Sequence, residues 1–163
     1  MRLTLFTDYA LRLMIQLASE PSGRRTTIAQ ASHSLGLPLN HLTKIAHRLS
    51  KARLLTTSQG RNGGLVLSRP ASEITIGQVL RVTEPDFALV ACMAGTDCSL
   101  RIGCGLKHVL DAALAAFFGV VDQTTLAELT QQPAGHFGSP TVAACEPPGS
   151  SHGSRLKHHS GEG

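Results

Sequence analysis

Three cysteines, Cys92, Cys98 and Cys104, fall in the thirteen residues "CMAGTDCSLRIGC", each separated from the next by five residues. The rest of the chain holds one more, Cys145. A thiolate is the form that binds metal or attacks as a nucleophile, and the positive end of a helix favours it. Cys104 stands just before "GLKHVLDAALAAFFGVV" and is expected at the start of a long helix, with Cys92 and Cys98 on the loop that leads to it. The spacing is not the C-x₂-C of structural zinc sites, the C-x-x-C of thioredoxins or a ferredoxin run. Three thiolates in one loop form part of a shell for an iron–sulfur cluster or zinc, and either needs a fourth ligand. His108, Cys145, Asp97 or a residue from elsewhere are the candidates. A purely thiol-based redox switch is the competing reading, and Cys145 reads as a free thiol in a tail.

The elements that position these residues follow from hydrophobic spacing. Phe6, Tyr9, Ala10, Leu13, Met14 and Leu17 predict an amphipathic helix over about residues 5–19. "TTIAQASHSLG" supplies a threonine cap, an apolar face and a glycine stop, and the short "LPLN" leads into "HLTKIAHRLSKARL". There Leu42, Ile45 and Leu49 mark one face, and His41, Lys44, Arg48 and Lys51 lie mostly on the other. Two short helices joined by a tight glycine-containing turn, the second of them basic, are the helix-turn-helix signature. "LLTTSQGRNGGLVLS" then reads as a hairpin with Gln59–Gly64 at its tip, completing a winged helix. "ITIGQVLRVTEP" predicts a helix that stops near Pro85. From Ala112 to Val121 the next helix has no charged or strongly polar residue, so it must be covered all round, and a second subunit is the expected cover. "TTLAELTQQ" predicts a short last helix.

The chain is therefore expected to be mainly α with a small β-hairpin wing. Residues 1–83 form a winged helix-turn-helix DNA-binding domain and 84–103 a cysteine-bearing cluster-binding loop. Residues 104–132 hold the dimerisation helix and short final helix. Residues 133–163, rich in Gly, Pro, Ser and His, read as a disordered tail.

Charge is divided along the same lines. Residues 1–83 hold eleven Lys/Arg against three acids, a net +8, whereas residues 84–163 carry −4. A basic half joined to an acidic remainder points to a polyanion partner for the first half. A recognition helix reads bases with its N-terminal residues, here Asn40, His41, Thr43 and Lys44. Asn pairs bidentately with adenine and Lys donates to guanine. Arg48, Lys51 and Arg53 lie further along and suit phosphates. Arg61 and Asn62 sit at the wing tip, where an arginine suits a narrow minor groove. His33 and His47 read as ordinary surface or packing residues.

Several classes are excluded. Asp8 and Arg12 interrupt the apolar stretch at the N-terminus, no cleavage site follows, and no run reaches the roughly 18 apolar residues of a membrane span, so a cytoplasmic protein is expected. P-loop, Rossmann, nucleophile-elbow and zinc-protease patterns are all missing, so an enzyme is not expected.

"MRLTLFTDYALR", "NHLTKIAHRLSKA", "GRNGGLVLSRPASEITIGQVLR" and the C-x₅-C-x₅-C followed by a long helix together resemble the iron–sulfur winged-helix regulators, over roughly residues 1–132. Within that family the chain is most similar to the NsrR-like branch of nitric-oxide-sensing repressors, with the IscR branch as a relative. The resemblance implies a cytoplasmic homodimer with one cluster per subunit, [4Fe-4S] favoured over [2Fe-2S], held by Cys92, Cys98 and Cys104. In the IscR branch the fourth ligand is a histidine three residues after the last cysteine; here Lys107 stands there, and His108 is about 100° further round the helix. In the NsrR-like branch it is an aspartate of the first helix from the partner subunit, which Asp8 matches, with Arg12 one turn away able to orient it. The implied function is repression from a two-fold double-stranded operator, relieved when nitric oxide disrupts the cluster, at genes for nitric oxide detoxification. The alternatives on the same fold are an iron–sulfur or redox-responsive regulator and a zinc or thiol switch.

Overall fold

The computed structural model describes residues 2–21, 23–58, 60, 63–97 and 104–131. Cys98, Arg61, Asn62, Cys145 and the expected tail lie outside the described residues.

Helix α1, Leu5–Ser19, begins where the Thr4 side chain accepts from the Thr7 N–H, and it buries Thr7, Ala10, Leu13, Met14 and Leu17, the stripe its spacing predicts. Helix α2, Ile28–Leu35, opens with a reciprocal capping box between Thr27 and Gln30. It ends at Gly36, whose φ of 64° lies in the left-handed region, with its N–H returned to the helix carbonyls. After Leu37 and Pro38, α3 runs Leu39–Lys51 and buries Leu42, Ile45, Ala46 and Leu49.

The end of α3 is less ordinary. Arg53 takes φ 57°, a position usually left to glycine, while its N–H reaches Ser50 O and the Leu54 N–H reaches Leu49 O. That is the Schellman pattern built on an arginine, at a cost of about 1 kcal/mol. The turn sends the chain straight into β1, Leu55–Ser58, which pairs antiparallel with β2, Gly64–Leu67, in the register Leu55 opposite Leu67 and Ser58 opposite Gly64. Thr26 bridges to Leu65 on the far side of β2 and ties the wing to the entry of α2.

Helix α4, Ile76–Thr83, again starts with a threonine capping box, Thr75 with Gln78. It stops two residues before Pro85, as the sequence predicts. Helix α5 spans Gly105–Val121 and α6 Leu126–Gln131. Leu13, Met14, Leu42, Ile45, Leu49, Leu55, Leu65, Ile74, Leu80 and Leu126 are all buried to within 2%. Thus α6 folds back onto the winged-helix core after α5 has left it, fixed by hydrogen bonds from Ile76 N to Thr124 O and from Leu126 N to Ile74 O. By contrast, no residue of α5 is buried. No helix among the described residues is long and apolar enough to cross a membrane.

Candidate nucleic-acid interface and cysteine-bearing segment

With Leu42, Ile45 and Leu49 turned into the core, the opposite face of α3 presents Asn40, His41, Thr43, Lys44, Arg48 and Lys51, all exposed. Among the described residues, Lys44, Arg48 and Lys51 form no ion pair with a carboxylate. Their charge is therefore not neutralised within the chain. Thr43 is partly committed, since its hydroxyl donates to Leu39 O at 2.9 Å. Two of these side chains touch α1. The His41 ring meets Tyr9 edge to face, and the Arg48 guanidinium lies 5.6 Å over the Phe6 ring. At the wing, Arg25 donates to Ser58 Oγ at 2.5 Å, placing another cation beside the hairpin that the sequence did not single out.

Asp8 lies on α1 between Phe6 and Tyr9. Both its carboxylate oxygens engage Arg12, at 3.1 Å to Nε and 3.0 Å to Nη2, the ion pair expected one turn apart. The start of α1 is held from a distance. The carboxylate of Glu84, buried at 9% exposure, accepts from Thr4 N at 2.8 Å and from Thr4 Oγ1 at 3.1 Å. Beside it Thr7 Oγ1 donates to the buried Thr83 Oγ1 at 2.9 Å. Glu84 thus anchors the helix that carries Asp8 to the point where the cysteine-bearing segment departs. Its partner is 80 positions away in the chain, and no local pattern signals such a contact.

Cys92 sits in a short 3-10 turn, Ala91–Ala94, and Cys104 is the residue that caps α5, as its position in the sequence implies. Both are free and half-buried. Lys107, one turn into α5, bonds Asp111 at 2.6 Å. That pair holds the lysine above its ordinary pKa. Sequence reasoning treated Lys107 only as a residue that cannot be a ligand. Of the expected fourth-ligand candidates, His108 is exposed on α5 and Asp97 is exposed at the edge of the described segment. Among the described residues no three His, Cys, Asp or Glu side chains converge to hold a metal, so Asp8 is not gathered with Cys92 and Cys104 within one chain.

The side of α5 turned to its own chain carries half-buried Leu110, Leu114, Phe117, Phe118 and Val121. The other side exposes Leu106, Val109, Ala113, Ala116 and Val120. These alternate at steps of three and four, the spacing of a helix-pairing seam.

Known proteins resemble the chain in sequence and in fold. The Rrf2 family, described as "Iron-dependent Transcriptional regulator", matches residues 3–132. The chain is 44% identical over 131 residues to the HTH-type transcriptional regulator NsrR of Bacillus licheniformis, covering 79% of this chain and 92% of that protein. In structure it resembles CymR, the global cysteine regulator of B. subtilis, with a TM-score of 0.69 at 24% identity over 80% of this chain and 96% of that one. It also resembles IscR of T. potens, with a TM-score of 0.64 at 23% identity over 83% and 94%. These structural likenesses, at such low identity, bear on the fold: a helical body with a two-stranded wing. Fold, family match and sequence identity agree, and the chain belongs to the Rrf2 family of transcriptional regulators.

Proposed function

We propose that the chain is a homodimeric repressor that senses nitric oxide through an iron–sulfur cluster and releases genes for nitric oxide detoxification. One arrangement carries the proposal. An exposed, unneutralised basic face on α3 is linked by ring contacts to the helix bearing Asp8, while the free thiols of Cys92 and Cys104 flank the segment that would hold the sensor.

The residues present fit such a group. Two free, half-buried thiols, one at the start of a 17-residue helix and the other in the turn Ala91–Ala94, are soft donors of the kind such a group takes. Cys92, Cys98 and Cys104 would hold the cluster, with Asp8 of the partner subunit as fourth ligand and Arg12 orienting that carboxylate. The bound cluster would supply iron that reacts with nitric oxide. The family description "Iron-dependent" supports a metal of this kind. The seam of Leu106, Val109, Ala113, Ala116 and Val120 supports α5 as the dimerisation helix, because burying it needs a second copy.

Within this scheme Asp8 has two states. As a ligand across the interface it would tie α1 to the partner while Arg12 orients it; without the cluster it would keep only its contacts with Arg12. Since Phe6 and Tyr9 contact Arg48 and His41, a shift of α1 changes how the recognition helix is presented. Asn40, His41, Thr43 and Lys44 would then read bases, while Arg48, Lys51 and the wing residues Arg61 and Asn62 hold the backbone of a two-fold operator.

The test is an absorption spectrum with iron and sulfide analysis on protein purified without oxygen, before and after nitric oxide, together with DNA binding. A cluster that reacts rapidly, with loss of binding, is the expected result. Zinc or no metal would leave a winged-helix regulator with another use for its thiols. A cluster indifferent to nitric oxide would place the chain among redox or biogenesis regulators.

A further inference from the structure

The contacts that fasten α5 to its own chain gather near its C-terminal end. Arg81 of α4 forms a two-pronged pair with the carboxylate of Asp122, the residue that closes α5; one prong is Nη1 to Oδ1, and the other, Nη2 to Oδ2, is 2.7 Å. The carbon of the same guanidinium lies over the Phe118 ring, 4.2 Å from its centroid. Phe118 in turn takes the Phe87 ring edge to face at 4.7 Å. Gly77, in the first turn of α4, leaves room for this: a Cβ there would lie 2.9 Å from Asp122 Cγ, inside van der Waals contact. The first residues of α5, Gly105 to Val109, are exposed. Among the described residues, the polar contacts between this helix of about 25 Å and the winged-helix core lie at its C-terminal end.

The pinning is directional. Apolar surfaces tolerate sliding, but a bidentate guanidinium–carboxylate pair has one geometry, and the Phe118 ring beneath the guanidinium adds a contact that sliding would lose. On the other side of α4, Val79 shares the core with Leu42, Ile45 and Leu49 of α3. A rigid path therefore runs from Asp122 through α4 to the recognition helix.

The geometry points to Arg81, Asp122 and Phe118 as a clamp that fixes the angle between the dimer-forming helix and the recognition helix, and so sets the half-site spacing the protein accepts. The inference rests on the dimeric DNA-binding reading above. Two recognition helices must meet half-sites about one helical turn apart. Each added base pair moves the second half-site by about 3.4 Å and rotates it. A joint held by one bidentate pair rejects such a displacement, whereas a loosened joint follows it. The clamp residues are positioning residues and need not touch DNA.

The test begins with a duplex selected from random DNA by the wild-type dimer, then lengthened or shortened by one base pair between its half-sites. Asp122→Asn keeps the shape of the side chain and removes the charge; Arg81→Lys keeps the charge and removes the fork. Both should remain dimeric, with wild-type iron and sulfide content. Their preference for the native spacing over the altered ones should narrow by roughly three- to tenfold. Equal weakening at every spacing, or an unchanged profile, in both variants would overturn the clamp. A wild-type protein that selects no two-fold duplex would overturn the DNA-binding reading along with it.

Discussion

The Tyr9 and His41 rings stand 5.8 Å apart at an interplanar angle of 63°, so α1 meets the exposed basic face of α3 one residue away from Asp8. Together with Phe6 under Arg48, this makes two contacts to α3 on either side of the carboxylate. Removing one should weaken the link without touching the sensor. Tyr9→Ala is expected to retain iron and sulfide, while the ratio of DNA affinities with and without the cluster narrows by roughly two- to tenfold. Fluorescence anisotropy on both forms measures it; an unchanged ratio would show that the ring contact carries nothing.

Asp8→Ala should leave the dimer intact by sedimentation and lose its cluster faster in the presence of a chelator. Arg12→Ala keeps the carboxylate but removes its hydrogen bond and its ion pair. It should weaken retention by about tenfold, the usual effect of losing a group that orients a ligand. Cluster lifetimes equal to wild type in both variants would remove Asp8 from the site.

Binding to the operator should fall steeply with salt, because Lys44, Arg48 and Lys51 are not neutralised by carboxylates of the described chain. Arg48→Ala should weaken all sequences alike and lower the log–log salt slope by about one. Asn40→Ala should instead relax the preference at one base position, by about 1–3 kcal/mol. A flat salt response would dismiss the α3 face as the DNA surface.

Val109, 65% exposed, is the most exposed large apolar residue of the seam. Val109→Asp places a charge there and should yield monomers in analytical ultracentrifugation at concentrations where wild type is dimeric. A variant that stays dimeric would move the interface elsewhere.

The clamp also has a signature in acid. The Arg81 hydrogen bond holds the Asp122 carboxyl below its ordinary value of 3.8. A group depressed on folding contributes fully above its unfolded value and loses that contribution as pH falls through its folded value. The stability difference between wild type and Asp122→Asn should therefore be constant near neutrality and shrink below about pH 4, as read by urea unfolding. A difference that stays constant into strong acid would mean that the pair does not stabilise the fold.

Much of the helical framework was legible because its signals are local. The α1 stripe, the Gly36 stop and the buried Leu42, Ile45 and Leu49 follow from spacing and capping chemistry within a few residues. The hairpin was legible too, but its first strand begins at Leu55, because Arg53 takes the left-handed turn that a glycine would have advertised. Contacts between distant positions were not legible. Thr4 with Glu84 and Arg81 with Asp122 join residues 80 and 41 apart, and no periodicity encodes such a pairing. Of the cysteine triplet, the spacing and the helix-capping position of Cys104 could be read from sequence; Cys98 lies outside the described residues.

The bare surface of α5 bears on how the protein is made. Among the described residues, one face of α5 stays uncovered in a single chain. In the proposed dimer a second copy covers it, and until then that face is equally attractive to any unfolded neighbour. Assembly is then a race between pairing and aggregation, and neighbouring ribosomes on one message favour pairing. A mutation that slows dimerisation would first appear as low soluble yield, before any change at an operator could be measured.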